Sequence, residues 1–292
     1  MKPAPFKYIA ASSLDHALSL KADYGDEARF LAGGQSLIPT MNFRLARPDV
    51  LIDINALNDL AGVHQSDGEP IRVGALTRYR DLERDGGFLS ACPLFAEALP
   101  HIAHPQIRNR GTIGGNLSHA DPASELPALA VAMEARMRLK SSAGERQVAA
   151  SAFFQGALIT DIQSDEMLVE IELPRSNPAT GTCFMETARR RGDFAITGVA
   201  AMVTVDEARQ CARVRLALCG VGETPVDASE ATASLIGQLF TIDAAEAVAA
   251  NVQQMIEPPG NVHATSDYQR HLAGVLTQRA LGIAYKRAGH GN

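Results

Sequence analysis

Two glycine pairs constrain this chain more than any other feature. The first lies in Ala32-Gly33-Gly34-Gln35-Ser36-Leu37, and the second in Arg108-Asn109-Arg110-Gly111-Thr112-Ile113-Gly114-Gly115-Asn116-Leu117, about 80 residues further on. Adjacent glycines reach positive φ without steric cost and let backbone approach a ligand closely. Backbone N–H groups turned inward ahead of a helix favour an anion, and the Ser36 hydroxyl adds a donor. One glycine pair is ordinarily a turn. Two, each following a regular element, suggest a diphosphate gripped from both sides. Thr112 and Asn116 add polar side chains to the second loop, which runs on through His119, Asp121 and Glu125. Acids beside a phosphate repel it, so Asp121 and Glu125 suit ribose hydroxyls or ring N–H groups. His119 joins the candidate contacts.

Other readings fall away. No G-x-G-x-x-G opens a strand–helix unit, which argues against a Rossmann site, and no G-x-x-x-x-G-K-[ST] is present, which excludes a P-loop. Protein kinase and α/β-hydrolase signatures are missing. The four cysteines, Cys92, Cys183, Cys211 and Cys219, contain no C-x-x-C pair, so neither an iron–sulfur cluster nor a structural zinc is expected. His101 and His104 have the i, i+3 spacing of a helical metal chelate, but no carboxylate falls at a matching position. A net charge of −6 argues against a nucleic-acid binder. No apolar run is long enough to span a membrane, and Met1 to Phe6 lacks the apolar stretch of a secretory signal, so the expected location is the cytoplasm. Arg189-Arg190-Arg191-Gly192-Asp193 reads as a solvated face, or as an electrostatic clamp for a flavin or another subunit. No nucleophile–base pair stands out, which fits a protein whose cofactor carries the reaction.

At 292 residues, 46% of them apolar and 21% charged, the chain is long enough for one to three globular domains. Ser13 to Ala22 reads as a capped helix, Arg29 to Ala32 as a strand, Leu37 to Met41 as a helical turn and Val50 to Ile54 as a strand. Ile71 to Ala75 is a strand; Tyr79 to Leu82 and Leu94 to Ile102 are helical. The stretch from His104 to Pro127 reads as a long ordered loop, followed by a buried helix from Leu126 to Met133. Strands follow at Ala135 to Lys140 and Met167 to Leu173. Pro174 to Gly181 is the best linker. Beyond it lie strands at Ile196 to Val205 and Val214 to Val221, then helices at Ala244 to Ile256 and Thr265 to Arg287, the last with Ser266 and Gln269 as a capping box.

AGGQSLIPTMNFRLARPDVLIDI, IRNRGTIGGNLSHADPASELP, RRRGDFAITGVAAMV and YQRHLAGVLTQRAL together resemble the FAD-binding medium subunit of the molybdenum hydroxylases, from about Phe6 to Arg287. The resemblance implies an α+β chain: a two-lobed FAD-binding α/β region (vanillyl-alcohol-oxidase/PCMH-like) at 1–57 and 58–175, and a C-terminal α+β domain at 176–292. It implies that Ala32, Gly33, Gly34, Gln35, Ser36 and Leu37 hold the diphosphate, with Gly111, Thr112, Gly114, Gly115 and Asn116 opposite. Glu125, longer than the Asp common there, falls at the ribityl–phosphate region, Leu168 on the isoalloxazine, Ile102 and Ala103 near the adenine end, and Asp193 near the flavin edge. His119 and Asp121 line the cleft. The implied partners are a large molybdenum–pterin subunit and a small subunit with two [2Fe–2S] clusters, in a dimer of heterotrimers. Electrons arrive on FAD and leave to an external acceptor. The alternatives are a stand-alone flavin oxidase or reductase and a nucleotide-binding regulatory module. Bulky substitution at Gly33, Gly34 or Gly115 is expected to abolish FAD retention and spare the fold.

Overall fold

A computed structural model describes residues 2–289; Met1 and residues 290–292, which end the expected third domain, lie outside the described residues. The chain begins with β1 (Lys7–Ala10), α1 (Leu14–Tyr24), β2 (Ala28–Leu31), α2 (Leu37–Asn42) and β3 (Val50–Asp53). Ser13 caps α1 by accepting from the His16 N–H. The strands form a three-stranded parallel sheet in the order β1-β3-β2. The fully buried Ala17 and Leu18 of α1 pack on Ile52 and Ala28 of the sheet. The sequence pattern missed β1, a short strand of mostly exposed residues whose pairing with β3 is non-local.

The next region contains β4 (Val63–His64), β5 (Ile71–Gly74), α3 (Tyr79–Leu82), α4 (Gly86–Ala91), α5 (Pro93–Ala98), α6 (Pro105–Arg108), α7 (Ile113–His119) and α8 (Glu125–Ala132). It continues with β6 (Arg136–Lys140), β7 (Glu145–Ala149), α9 (Ala150–Phe153), β8 (Phe154–Gly156), β9 (Ile159–Thr160) and β10 (Met167–Leu173). Its five-stranded sheet has the order β4-β5-β10-β6-β7, with antiparallel neighbours. Two expectations are corrected here. The helix expected to run from Leu94 to Ile102 ends at Ala98 and is preceded by α4. The expected loop from His104 to Pro127 contains α6 and α7, and Pro105 starts α6 instead of ending a helix.

The last region holds β11 (Thr180–Ala188), β12 (Ala195–Val205), β13 (Cys211–Cys219), β14 (Val226–Asp227), α10 (Ile242–Met255) and α11 (Ser266–Arg287). Its antiparallel sheet, in sequential order, is covered on both faces. Strand alternation divides the side chains cleanly. Cys183, Ala201 and Leu218 belong to the core under α10 and α11, whereas Phe184, Ala200, Ala217 and Cys219 join the core of the preceding region. Burial on both faces explains why β12 is almost continuously apolar. The expected linker already contains the start of β11. The expected capping box is not formed: Thr265 caps α11, and buried Gln269 donates instead to the Ile196 and Gly220 carbonyls.

Candidate functional site

The first glycine loop leaves the carboxyl edge of the parallel sheet, where open α/β sheets bind ligands. Gly34 has φ +71°, which strains any L side chain. The Gly34 carbonyl accepts from the Ile38 N–H and the Ser36 carbonyl from the Thr40 N–H, so both are committed to the start of α2. The N–H groups of Gly33, Gly34, Gln35, Ser36 and Leu37 find no acceptor among the described residues. The Ser36 hydroxyl makes no cap bond either. A run of unpaired donors at a partly covered loop is costly without a ligand or water, and suits a diphosphate.

Asn55 holds this loop from behind. Its Nδ2 donates to the carbonyls of Leu31 (3.1 Å) and Ala32 (2.8 Å) and to Asp53 Oδ1 (2.8 Å). The other oxygen of Asp53 accepts from the Tyr8 hydroxyl. Burial pushes the Asp53 carboxyl up, but hydrogen bonds from Tyr8 and Asn55, with Arg110 nearby, outweigh it and hold the group below its ordinary value. Sequence reasoning missed Asn55. It sits in the quoted LIDIN segment, but nothing local shows that its amide reaches back to residue 32.

The second loop is built differently. Thr112 caps α7, accepting the Gly115 N–H at 3.1 Å. The Ile113 N–H donates to the Thr77 carbonyl and the Gly114 N–H to the Ala75 carbonyl. The first-turn N–H groups of α7, expected to meet the anion, are therefore used within the protein. Gly114 is needed for packing, because a Cβ there would lie 2.7 Å from the Ala75 carbonyl oxygen. Only Gly115 of this pair is exposed. The two loops touch directly: a Cβ on Gly33 would stand 2.2 Å from the Arg110 carbonyl oxygen and 2.9 Å from the Gly111 Cα. Replacing Gly33 thus disturbs the fold as well as the ligand, and the strained φ at Gly34 has the same consequence, contrary to the expectation that both spare the fold.

A third wall comes from Ile102 and Ala103. Ile102 is buried and Ala103 is left-handed, with φ +49°. Arg108 donates to both carbonyls. The turn at Gly192 presses on this segment, leaving no room for a Cβ beside His104 and the Ala103 carbonyl, and so brings half-buried Asp193 alongside. Arg189, Arg190 and Arg191 are exposed. His119 ends α7, and burial depresses its pKa against the pull of Asp121. Asp121 Oδ1 accepts from the Ala123 N–H, and Asn116 Oδ1 from the Ser124 hydroxyl. Glu125 begins α8 and is buried. Leu168 is packed within the core, paired with Leu139 of β6.

His101 and His104 diverge. His101 Nδ1 lies 3.1 Å from Glu186 Oε1, while the His104 ring lies against Gly192. Among the described residues no group of three or more His, Cys, Asp or Glu side chains is placed to hold a metal. The four thiols are buried, and burial pushes Cys92 and Cys183 up to about 12, which makes them poor thiolate donors.

A mixed fold with this donor-lined cradle defines a protein that binds a nucleotide cofactor. Residues 4–176 match the model of the FAD binding domain in molybdopterin dehydrogenase, and residues 182–284 that of the CO dehydrogenase flavoprotein C-terminal domain. The chain is 40% identical to the 6-hydroxypseudooxynicotine dehydrogenase complex subunit alpha of Paenarthrobacter nicotinovorans, over 99% of this chain and 97% of that one. It is 39% identical to the caffeine dehydrogenase subunit beta of a Pseudomonas species, over 99% and 98%. It superposes on a solved chain of carbon monoxide dehydrogenase from Hydrogenophaga pseudoflava with a TM-score of 0.96, at 37% identity, covering 99% of this chain and all of that one. The chain belongs to the FAD-binding medium subunits of the molybdenum hydroxylases, and is an oxidoreductase subunit.

Proposed function

We propose that this chain binds FAD with its diphosphate on the unpaired N–H groups of Gly33 to Leu37, and relays electrons from [2Fe–2S] clusters of a partner subunit to an external acceptor. The five consecutive free donors carry this reading. The remaining candidate residues complete the site: Gly111, Thr112, Gly114, Gly115 and Asn116 form the opposing wall, Ile102, Ala103 and Asp193 the third. His119, Asp121, Glu125 and Leu168 line the space between.

Bound FAD accepts single electrons and releases them as a pair, which suits a relay between one-electron centres and a two-electron acceptor. The chain supplies position. Ala32 is fixed by Asn55, and the Gly33–Gly111 contact sets the spacing of the two loops, so the cradle is formed before the ligand arrives. Such preorganisation lowers the cost of binding. No side chain of this subunit is required as a proton-transfer catalyst.

The three sheets support a division at 1–57, 58–175 and 176–292, the first two holding FAD. The partners on this reading are a large molybdenum–pterin subunit and a small subunit with two [2Fe–2S] clusters, as a dimer of heterotrimers in the cytoplasm. No helix among the described residues is long and apolar enough to cross a membrane. The test is reconstitution of the purified chain. It should turn yellow with FAD at one equivalent, yet turn over no organic substrate until its partners are added. A folded chain that stays colourless in excess FAD excludes the proposal.

A further inference from the structure

Glu125 and Glu186 meet at the seam between the FAD-binding region and the C-terminal sheet. Glu125 is the first residue of α8, with 3% of its surface exposed. Glu186 lies in β11, its side chain also 3% exposed. Glu186 Oε1 has His101 as partner, but Oε2 is buried with none. No cation pairs with Glu125 among the described residues. The titratable groups facing the two are Asp121 from the turn after α7, His101 from the segment after α5, Tyr79 from α3 and Cys219 from β13. None of them neutralises Glu125. Neighbouring polar groups, Asn116 and Ser124, are bonded to each other.

Two desolvated carboxyls with so little compensation do not both ionise. We propose that Glu125 and Glu186 act as one carboxyl pair across the seam, carrying a single proton between them, and that this proton permits retention of the anionic cofactor. It resides on Glu125, because Glu186 has the His101 bond and Glu125 has no comparable partner. Consistent with this, burial first, then the charge of Glu186, pushes Glu125 up to about 8. The arrangement also removes an apparent conflict, an acid beside a site for phosphates: while protonated, Glu125 repels nothing. Loss of the proton places a bare charge in the seam next to the second glycine loop, which opposes both the ligand and the docking of the sheet. The Glu186 carboxyl is thereby a positioning residue contributed by the C-terminal domain.

The cofactor half of this inference rests on the proposed FAD site; the proton half does not. Two measurements separate them. Infrared spectra of the full apo-chain should show a protonated carboxylic acid band at neutral pH, titrating near pH 8. Glu125→Gln should lack that band. In Glu186→Gln it should titrate at lower pH, because the neighbouring charge is gone. FAD affinity, followed by flavin fluorescence, should fall roughly tenfold per pH unit above the midpoint, the slope of one lost proton. In Glu125→Gln affinity should be flat with pH. A merely structural Glu186 lowers affinity equally at all pH values and leaves the midpoint alone, which overturns the pair. So does the absence of the acid band in the wild-type chain. A band that behaves as expected, in a chain that binds no FAD at any pH, upholds the pair and removes the cofactor reading.

Discussion

The two glycine loops look alike in sequence and do opposite work. In the first, from Gly33 to Leu37, the backbone donors are left open and the side chain of Asn55 ties the loop down from outside. In the second, the donors of α7 are spent on Thr77, Ala75 and Thr112, and the glycines mostly make room: Gly111 for the Tyr79 ring, Gly114 for Ala75. The first loop is a ligand surface that requires support, while the second supplies support and offers little more than the exposed Gly115. A shared Gly-Gly therefore says that backbone comes close to something; only the tertiary fold says whether that something is ligand or protein.

The largest effect expected from breaking this division is at Gly33, where the loops touch. In Gly33→Ala the new Cβ meets the Arg110 carbonyl oxygen at 2.2 Å, and neither side of that contact is a flexible side chain. Overpacking of this kind costs about 1–3 kcal/mol. Denaturant unfolding should show a loss at the upper end of that range, and FAD should no longer be retained, because the cradle and its opposing wall have been pushed apart. A variant with wild-type stability and wild-type FAD content removes the contact from the argument.

Asn55→Ala tests the support of the first loop alone. It deletes hydrogen bonds to the carbonyls of Leu31 and Ala32 and to Asp53, leaving those carbonyls to water. Such bonds contribute a net of roughly 1 kcal/mol each at partly exposed sites. Stability should fall by about 1–2 kcal/mol. FAD affinity should fall about tenfold, the equivalent of 1.4 kcal/mol, because the open donors lose their fixed direction. Titration calorimetry with FAD measures this, and an unchanged affinity means that the N–H run is held by something other than Asn55.

What the sequence allowed one to read follows the same split between local and tertiary causes. The Ser13-capped α1, the apolar β3 and the helices α10 and α11 follow from capping and periodicity within a few residues, and all were legible. So was the presence of the two loops. α7 was not, because two glycines in its first turn cost about 1 kcal/mol each in helix propensity. It forms because Thr77 and Ala75 accept N–H groups that would otherwise be orphaned. β1 and β11 depend on distant partners in β3 and β12. His101 invited a metal reading from its spacing to His104, when its partner, Glu186, lies 85 residues away. Asn55 and Glu186 carry no local signature, and only the folded chain brings them to the site.

The smallest expected effect on the fold is at Gly115, and it separates ligand from packing more sharply than the others. Gly115 is exposed, and a Cβ there would meet the Thr112 hydroxyl at 2.8 Å and nothing else closer than the Ala32 Cβ at 3.9 Å. Displacing that hydroxyl weakens an N-cap, typically worth about 1 kcal/mol. Alanine in place of glycine within a helix returns about the same amount. Stability of Gly115→Ala should therefore stay within about 0.5 kcal/mol of wild type, the ordinary range for a surface change. The added methyl nevertheless projects toward Ala32 and the first loop, into the space a diphosphate on Gly33 to Leu37 would share. FAD retention should drop while the melting curve does not move. If both stay unchanged, the second loop is purely a buttress and the cofactor touches only the first.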